Sequence, residues 1–294
     1  MPNVENTHTD QFSIRNITIQ QVNSSNLGQD TISGIVRIFR DDDVVPWHRY
    51  DQCLEWVNKR MQRGFYITIA YNGDTLVGYS EWIEMSDAGR KILYLGIMQV
   101  EGDLRGRGIG GLMLSDGEEY AHRIGALHLR TIPEDERAQD FYLKYGYAST
   151  DTIFSCLCRT VPNPETLEHG KPSEITLEDA DNNDFIFGLS QSSGRHMYEV
   201  ANHYPGDTFE VKTMKIASGF LQFRYRIATS TAMVLYWSNG TVTADTVSDI
   251  LSLGCQEGFE EIEFVFRSKY RDLFTDKNVV LEATELEKAV SASS

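Results

Sequence analysis

The chain has 294 residues, 41% hydrophobic and 24% charged, a composition that suits a folded globular protein of about two domains. Its formal net charge of −16 argues against a nucleic-acid-binding surface and is compatible with a cationic partner such as an amine. No apolar run approaches the roughly 20 residues of a membrane span, and MPNVENTHTDQ at the start has neither the basic nor the apolar segment of a targeting signal, so the expectation is a cytoplasmic protein with no membrane partner.

After a polar leader at residues 1–11, the run FSIRNITIQ at 12–20 alternates and predicts a half-buried first strand. Residues 30–39 read as a short helix. A second spans 50–62, with Leu54, Trp56, Val57 and Met61 on its apolar side. Between them, Asp41, Asp42 and Asp43 suit a loop that attracts a cation or a plain soluble turn. Residues 65–71 and 75–84 form a predicted hairpin around Asn72-Gly73, a favoured turn pair. Asp87-Ala88-Gly89 then turns the chain into a strand at 91–100. A glycine-rich loop leads to a helix at 109–124, whose Ile109, Leu112, Met113, Tyr120 and Ile124 keep the helical period, and a strand follows at 126–130. This βαβ order implies a right-handed parallel crossover. A helix at 136–145 and a strand at 147–159 close a first domain, residues 12–160. The four cysteines, Cys53, Cys156, Cys158 and Cys255, include no CxxC pair and read as reduced thiols; Cys156 and Cys158 share one side of the last strand, where packing suffices to explain them.

Residues 161–173, with three prolines and one glycine, form a predicted linker. The second domain, 174–294, orders its elements as strands 220–229 and 231–238, helix 244–257, strand 261–267, short helix 269–274 and strand 279–286. That order repeats the second half of the first domain, so the expectation is a degenerate copy of it, with an unrelated α+β dimerisation domain as the alternative. A homodimer is compatible with either.

The chemistry concentrates at 94–111, YLGIMQVEGDLRGRGIGG. A strand, a glycine-rich loop and a helix N-terminus together form an anion site, because the first N–H groups of a helix point outward and glycines leave them uncovered. A P-loop would need Lys-Ser/Thr after its second glycine, where the chain has Gly111-Leu112. Gly106, Gly108 and Gly111 satisfy G-x-G-x-x-G, but the acid that a dinucleotide fold places at the end of the next strand is replaced by Arg130-Thr131. A third reading uses Val100, Arg105, Gly108 and Gly110 as V…R-x-x-G-x-G. This stretch resembles the acetyl-CoA loop of the GNAT N-acetyltransferase superfamily, departing mainly where Gly102 stands for proline. Downstream, Asp135, Ala138, Phe141, Tyr142, Gly146 and Tyr147 resemble that family's N-x-x-A-x-x-F-Y-x-x-x-G-F/Y, with Asp135 in place of asparagine.

The resemblance covers residues 12–160 and implies a mixed α/β GNAT fold: a central mixed sheet flanked by helices. It also implies acetyl-CoA as cosubstrate, transferred directly to a small-molecule or peptide amine in a ternary complex. Arg105, Gly106, Arg107, Gly108, Ile109 and Gly110 would hold the pyrophosphate, backbone groups of Met98 and Val100 the pantetheine arm, and Asp135 a further contact to that arm. Tyr142 is the expected acid for the departing thiolate. Core packing is the plain alternative for its ring. Among Glu81, Glu84, Glu101 and His48, Glu81 ranks first as a base because it interrupts an apolar strand, though each also suits a solvated surface. No metal is expected: His196 and His203 lie seven residues apart without a third ligand at a recognised spacing. A catalytically silent acyl-CoA sensor and a nicotinamide-binding protein are the competing functions.

Overall fold

The computed structural model describes residues 13–40, 49–87, 89–162, 176–188, 209–216, 218–226 and 229–290. Asp41, Asp42, Asp43, His48, His196, His203, Ala88 and nearly all of the expected linker lie outside the described residues. The chain divides into two compact units, Met1–Glu81 with Ile97–Gly117, and Trp82–Gly96 with Glu118–Ser294.

In the first unit, the Ser13 side chain accepts from the Arg15 N–H and caps a 3-10 turn at Ile14–Asn16. The first strand, β1, is therefore Ile17–Gln21 and starts later than the alternation at 12–20 predicts, since a local cap competes with extended backbone. Helix α1, Gln29–Ile38, buries Ile32, Ile35 and Ile38. Helix α2, Tyr50–Gln62, buries Cys53, Trp56, Val57 and Arg60. Strand β2, Tyr66–Asn72, pairs antiparallel with β1 from Ile17↔Asn72 to Gln21↔Thr68. Strand β3, Thr75–Asp87, belongs to this unit up to Glu81, and β4, Arg90–Val100, from Ile97 onward. Helix α3, Ile109–Ile124, contributes its first half, seated by Ile109 and Met113 against Ala70 and Val77, with Met98, Val100 and Leu104 around them. The Tyr66 hydroxyl donates to Asp116 at 2.9 Å and ties α3 to β2.

The second unit is a mixed sheet. Its strands after β4 are β5 (His128–Thr131), β6 (Ala148–Arg159), β7 (Asp184–Phe187), β8 (Phe209–Ile216), β9 (Gly219–Arg226), β10 (Thr231–Ser238), β11 (Glu261–Arg267) and β12 (Val279–Ala289). Its helices are α4 (Glu136–Lys144), α5 (Leu177–Asp181) and α6 (Ala244–Gln256). The spatial order is β4-β5-β12-β6-β11-β7-β10-β9-β8. β4 runs parallel to β5, and β10 parallel to β11. The last strand, β12, lies between β5 and β6 and is antiparallel to both. β6 pairs with β11 from Ile153↔Arg267 to Arg159↔Glu261, so the sheet crosses the expected boundary at 161–173 without a break. Val247, Ile250 and Leu251 of α6 and Phe274 of a 3-10 turn at Ser268–Phe274 pack on Val234, Tyr236, Ile262, Phe264 and Phe266.

Several boundaries move for local reasons. β5 begins at His128 because the Ala126 N–H still bonds back to Ala121 O at 2.9 Å, and it reaches Thr131 instead of ending at Arg130. β12 extends to Ala289 because β5 supplies partners, from Leu286↔Thr131 to Ala289↔His128. Strands β7 and β8 and helix α5 were not anticipated. Among the described residues, no helix is long and apolar enough to cross a membrane.

Candidate functional site

The first unit carries the glycine-rich loop. β4 ends at Val100, a 3-10 turn spans Gly102–Leu104, and α3 begins at Ile109. Leu112 donates the first intrahelical bond, to Gly108 O at 3.2 Å, so the N–H groups of Ile109, Gly110 and Gly111 precede the helical ladder. Gly106 and Gly108 have φ of +78° and +92°, a left-handed backbone that side chains oppose. A Cβ at Gly106 would meet nothing within 4 Å, and one at Gly108 only Ile14 at 3.5 Å, so a methyl there would fill open space in front of the backbone. This cradle fits a phosphate group. Arg105 braces the turn: its Nε donates to Val100 O at 3.0 Å and its Nη2 to Gln99 Oε1 at 2.8 Å. Met98 and Val100 pack their side chains beneath α3, which leaves their contribution to a ligand to their backbone groups.

The second unit carries the acid candidate. Tyr142 on α4 is 7% exposed and packs edge-on against Phe141 at 5.2 Å and Tyr147 at 5.4 Å. Burial pushes its phenol up to about 12; a hydrogen bond with the Thr131 side chain opposes that shift and the Glu134 charge adds to it. The phenol is thus fully protonated at neutral pH. Thr131, buried at the end of β5, also donates its hydroxyl to Leu95 O at 3.2 Å. Leu95 and Thr131 are the final register pair of β4 with β5. Asp135 caps α4, with its side chain accepting the Ala138 N–H at 2.7 Å, a role that favours an acid or amide at a helix start.

The base candidates separate clearly. Glu81 is 1% exposed and far from a solvated surface residue. Its Oε1 accepts the Trp56 indole at 2.6 Å and the Tyr79 hydroxyl, and its Oε2 lies 3.4 Å from Arg60 Nε. Arg60 stacks over Trp56 at 3.9 Å and Phe65 at 4.4 Å. Burial, and then the Glu81 charge, push the Cys53 thiol up. This ion pair anchors α2 on β3. Glu81→Gln is expected to cost about 2 kcal/mol of stability, because a charge-assisted bond is lost and Arg60 stays buried, as urea unfolding would show. Glu84 pairs with Lys91 at 2.9 Å, and Glu101 pairs with Arg37.

In the second unit the parallel strands β10 and β11 part. β10 and β11 pair at Thr231↔Glu261 through Met233↔Glu263, and beyond that β7 stands between them. Phe187 pairs with Tyr236 on one side and Phe266 on the other, and the Gly188 N–H donates to Val265 O at 2.8 Å. Among the described residues, that gap is filled by β7, and the Ser238–Thr243 junction carries a single glycine. The sequence reading missed both β7 and Thr131. A four-residue strand is too short for periodicity, and a threonine ending a strand is unremarkable until its partners are known.

Residues 32–147 match the model of the Acetyltransferase (GNAT) family. A comparison with curated proteins finds no match. Among solved structures, the chain is similar to a conserved protein of Enterococcus faecalis V583, with TM-score 0.62 and 11% identity over 93% of this chain and 72% of that one. It is similar to the GCN5-related N-acetyltransferase from Anabaena variabilis ATCC 29413, with TM-score 0.62 and 9% identity over 94% and 73%. The GCN5-related N-acetyltransferase from Kribbella flavida gives TM-score 0.61 and 10% identity over 93% and 72%. At these identities the likeness is one of fold, and it extends across both halves of the chain. Together with the glycine cradle at the start of α3, these matches identify residues 32–147 as a domain of the GNAT acetyltransferase family, in a chain of GNAT fold.

Proposed function

We propose that this protein transfers the acetyl group of acetyl-CoA to an amine of a small-molecule or peptide acceptor, by direct attack in a ternary complex in the cytoplasm. The observation that carries the reading is the left-handed Gly106 and Gly108 in front of the free N–H groups of α3. Acetyl-CoA supplies an activated thioester and a diphosphate. Gly106, Gly108, Ile109 and Gly110 receive the diphosphate on backbone N–H groups, with Arg105 and Arg107 adding charge. Backbone groups of Met98 and Val100 hold the pantetheine arm, and the resemblance assigns Asp135 a further contact to it. Tyr142 holds a proton at its phenolic oxygen for the departing sulfur. Glu81 serves α2, and an acceptor amine with pKa near 8 is partly neutral at physiological pH without a base. The second half acts as a silent copy of the fold, its strand gap filled by β7.

Calorimetric titration with acetyl-CoA tests this, with NADH as the control. The expected result is saturable binding of one acetyl-CoA per chain and none of NADH. Gly108→Val should weaken acetyl-CoA binding about tenfold or more, because a branched side chain opposes the left-handed backbone and covers the N–H groups. NADH binding in preference to acetyl-CoA would overturn the reading.

A further inference from the structure

We propose that Arg37 of α1 is a positioning residue for the diphosphate loop, acting through Glu101, the residue at which the chain leaves β4. The inference rests on the proposed binding of acetyl-CoA and gives neither side chain a chemical step.

All of the residues involved belong to the first unit. A Cβ at Gly34 of α1 would come within 3.0 Å of Leu76 Cβ, so the missing side chain lets α1 lie close over the start of β3. Arg37 follows on the same side of the helix, in its last turn, and reaches across that contact. Its Nη2 donates to Leu76 O, and its Nη1 pairs with the Glu101 carboxylate. Glu101 is thereby held at three points: its N–H donates to Val77 O at 2.9 Å, its C=O accepts the Leu104 N–H at 2.9 Å, and its side chain meets Arg37. The first two bonds are backbone bonds that almost any residue could make; they end the pairing with β3 and open the 3-10 turn at Gly102–Leu104. The third is what the residue types add. A planar guanidinium serves two acceptors in a fixed geometry, so Arg37 fixes the exit of β4 against β3 and α1 together. From within the loop, Arg105 braces the same corner through Val100 O and Gln99 Oε1. Beyond the corner the cradle is open, with nothing within 4 Å of a Cβ at Gly106. A diphosphate held on backbone N–H groups depends on where those groups stand, so a small shift of the corner that carries them costs affinity.

The test compares acetyl-CoA with S-acetylpantetheine, which keeps the thioester and the arm and lacks the diphosphate. Binding of each to the full chain is measured by calorimetry. Arg37→Met keeps most of the side chain's length and should weaken acetyl-CoA binding about fivefold while leaving S-acetylpantetheine binding unchanged. The urea midpoint should move by less than about 0.5 M, since a half-exposed ion pair contributes little to stability. Glu101→Met should give the same loss for acetyl-CoA, and it carries the test alone if Arg37→Met does not fold. Arg37→Lys keeps a cation for Glu101 and should restore most of the affinity. In the Glu101→Met background, Arg37→Met should have no further effect, an outcome that a merely structural role for Arg37 would not produce. Equal losses for both ligands, an unchanged acetyl-CoA affinity in a folded single variant, or additive losses in the double variant overturns the positioning role alone. Absence of acetyl-CoA binding by the unaltered protein overturns the proposed function and the positioning role together.

Discussion

Arg130→Met should lower the unfolding free energy by about 3 kcal/mol, the lower end of the cost of breaking a buried ion pair from one side. Arg130 is 2% exposed, on the short strand β5, and its partners Glu285 and Glu287 come from β12, near the C-terminus. Arg130 Nη2 lies 2.8 Å from Glu287 Oε2, and its Nε lies 3.4 Å from Glu285 Oε1. Removing the guanidinium leaves two buried carboxylates short of a counter-charge. Neither is stranded. Glu287 keeps His128 at 2.8 Å and Arg90 at 3.2 Å, and Glu285 keeps Arg267 at 3.0 Å, which is why the lower end of the range applies. Urea unfolding should show a fall in midpoint of about 1–2 M with an unchanged slope, given slopes of roughly 2 kcal/mol/M. Replacing Arg130, Glu285 and Glu287 together with apolar residues of similar volume should recover most of the loss. A neutral single variant would mean that Arg90 and Arg267 already balance both acids.

Tyr142→Phe should lower turnover about a hundredfold while leaving stability and acetyl-CoA affinity close to unchanged. Burial raises the phenol to about 12, so the group stays protonated across the working range of an enzyme. Full transfer of its proton to a thiolate of pKa near 8.5 is uphill by about 5 kcal/mol. Its contribution is therefore a hydrogen bond to charge that develops on sulfur, which sets the effect at the lower end of general acid catalysis, about 10²-fold. Phenylalanine keeps the edge-on contacts with Phe141 and Tyr147, so the variant should fold. Single-turnover release of free thiol separates chemistry from binding. Loss of activity on the alkaline side below pH 10 would arise from another group, because the phenol is not yet ionised there. An unchanged rate removes Tyr142 from the chemistry.

Local pattern carried much of this reading. The loop Val100 to Gly110 is legible because left-handed backbone in front of a helix requires glycine at defined positions, and that requirement is written in residue types. The span of α3, the start of α4 and the hairpin around Asn72-Gly73 follow from helical period, an N-cap and a turn pair, each settled within a few residues of chain. The end of β4 at Val100 is local in the same sense.

Other features depend on partners distant in sequence. Glu81 reads as either a base candidate or a solvated surface residue until α2 is laid over it with Trp56 and Arg60. Thr131 is an ordinary strand residue until the Leu95 carbonyl reaches its hydroxyl. The placement of β12 between β5 and β6 joins residues 128–131 to 286–289, and the filling of the β10–β11 gap by β7 joins 184–187 to 236–238 and 266. Strand pairing is made by backbone groups that every residue carries, so it leaves no mark of which strands will meet. By itself, the sequence determined the glycine loop at the start of α3 and the family it resembles, because those rest on φ angles and helix ends. Only the tertiary structure decided which charges are buried together and which strand lies beside which, since burial and long-range pairing are properties of the packed chain.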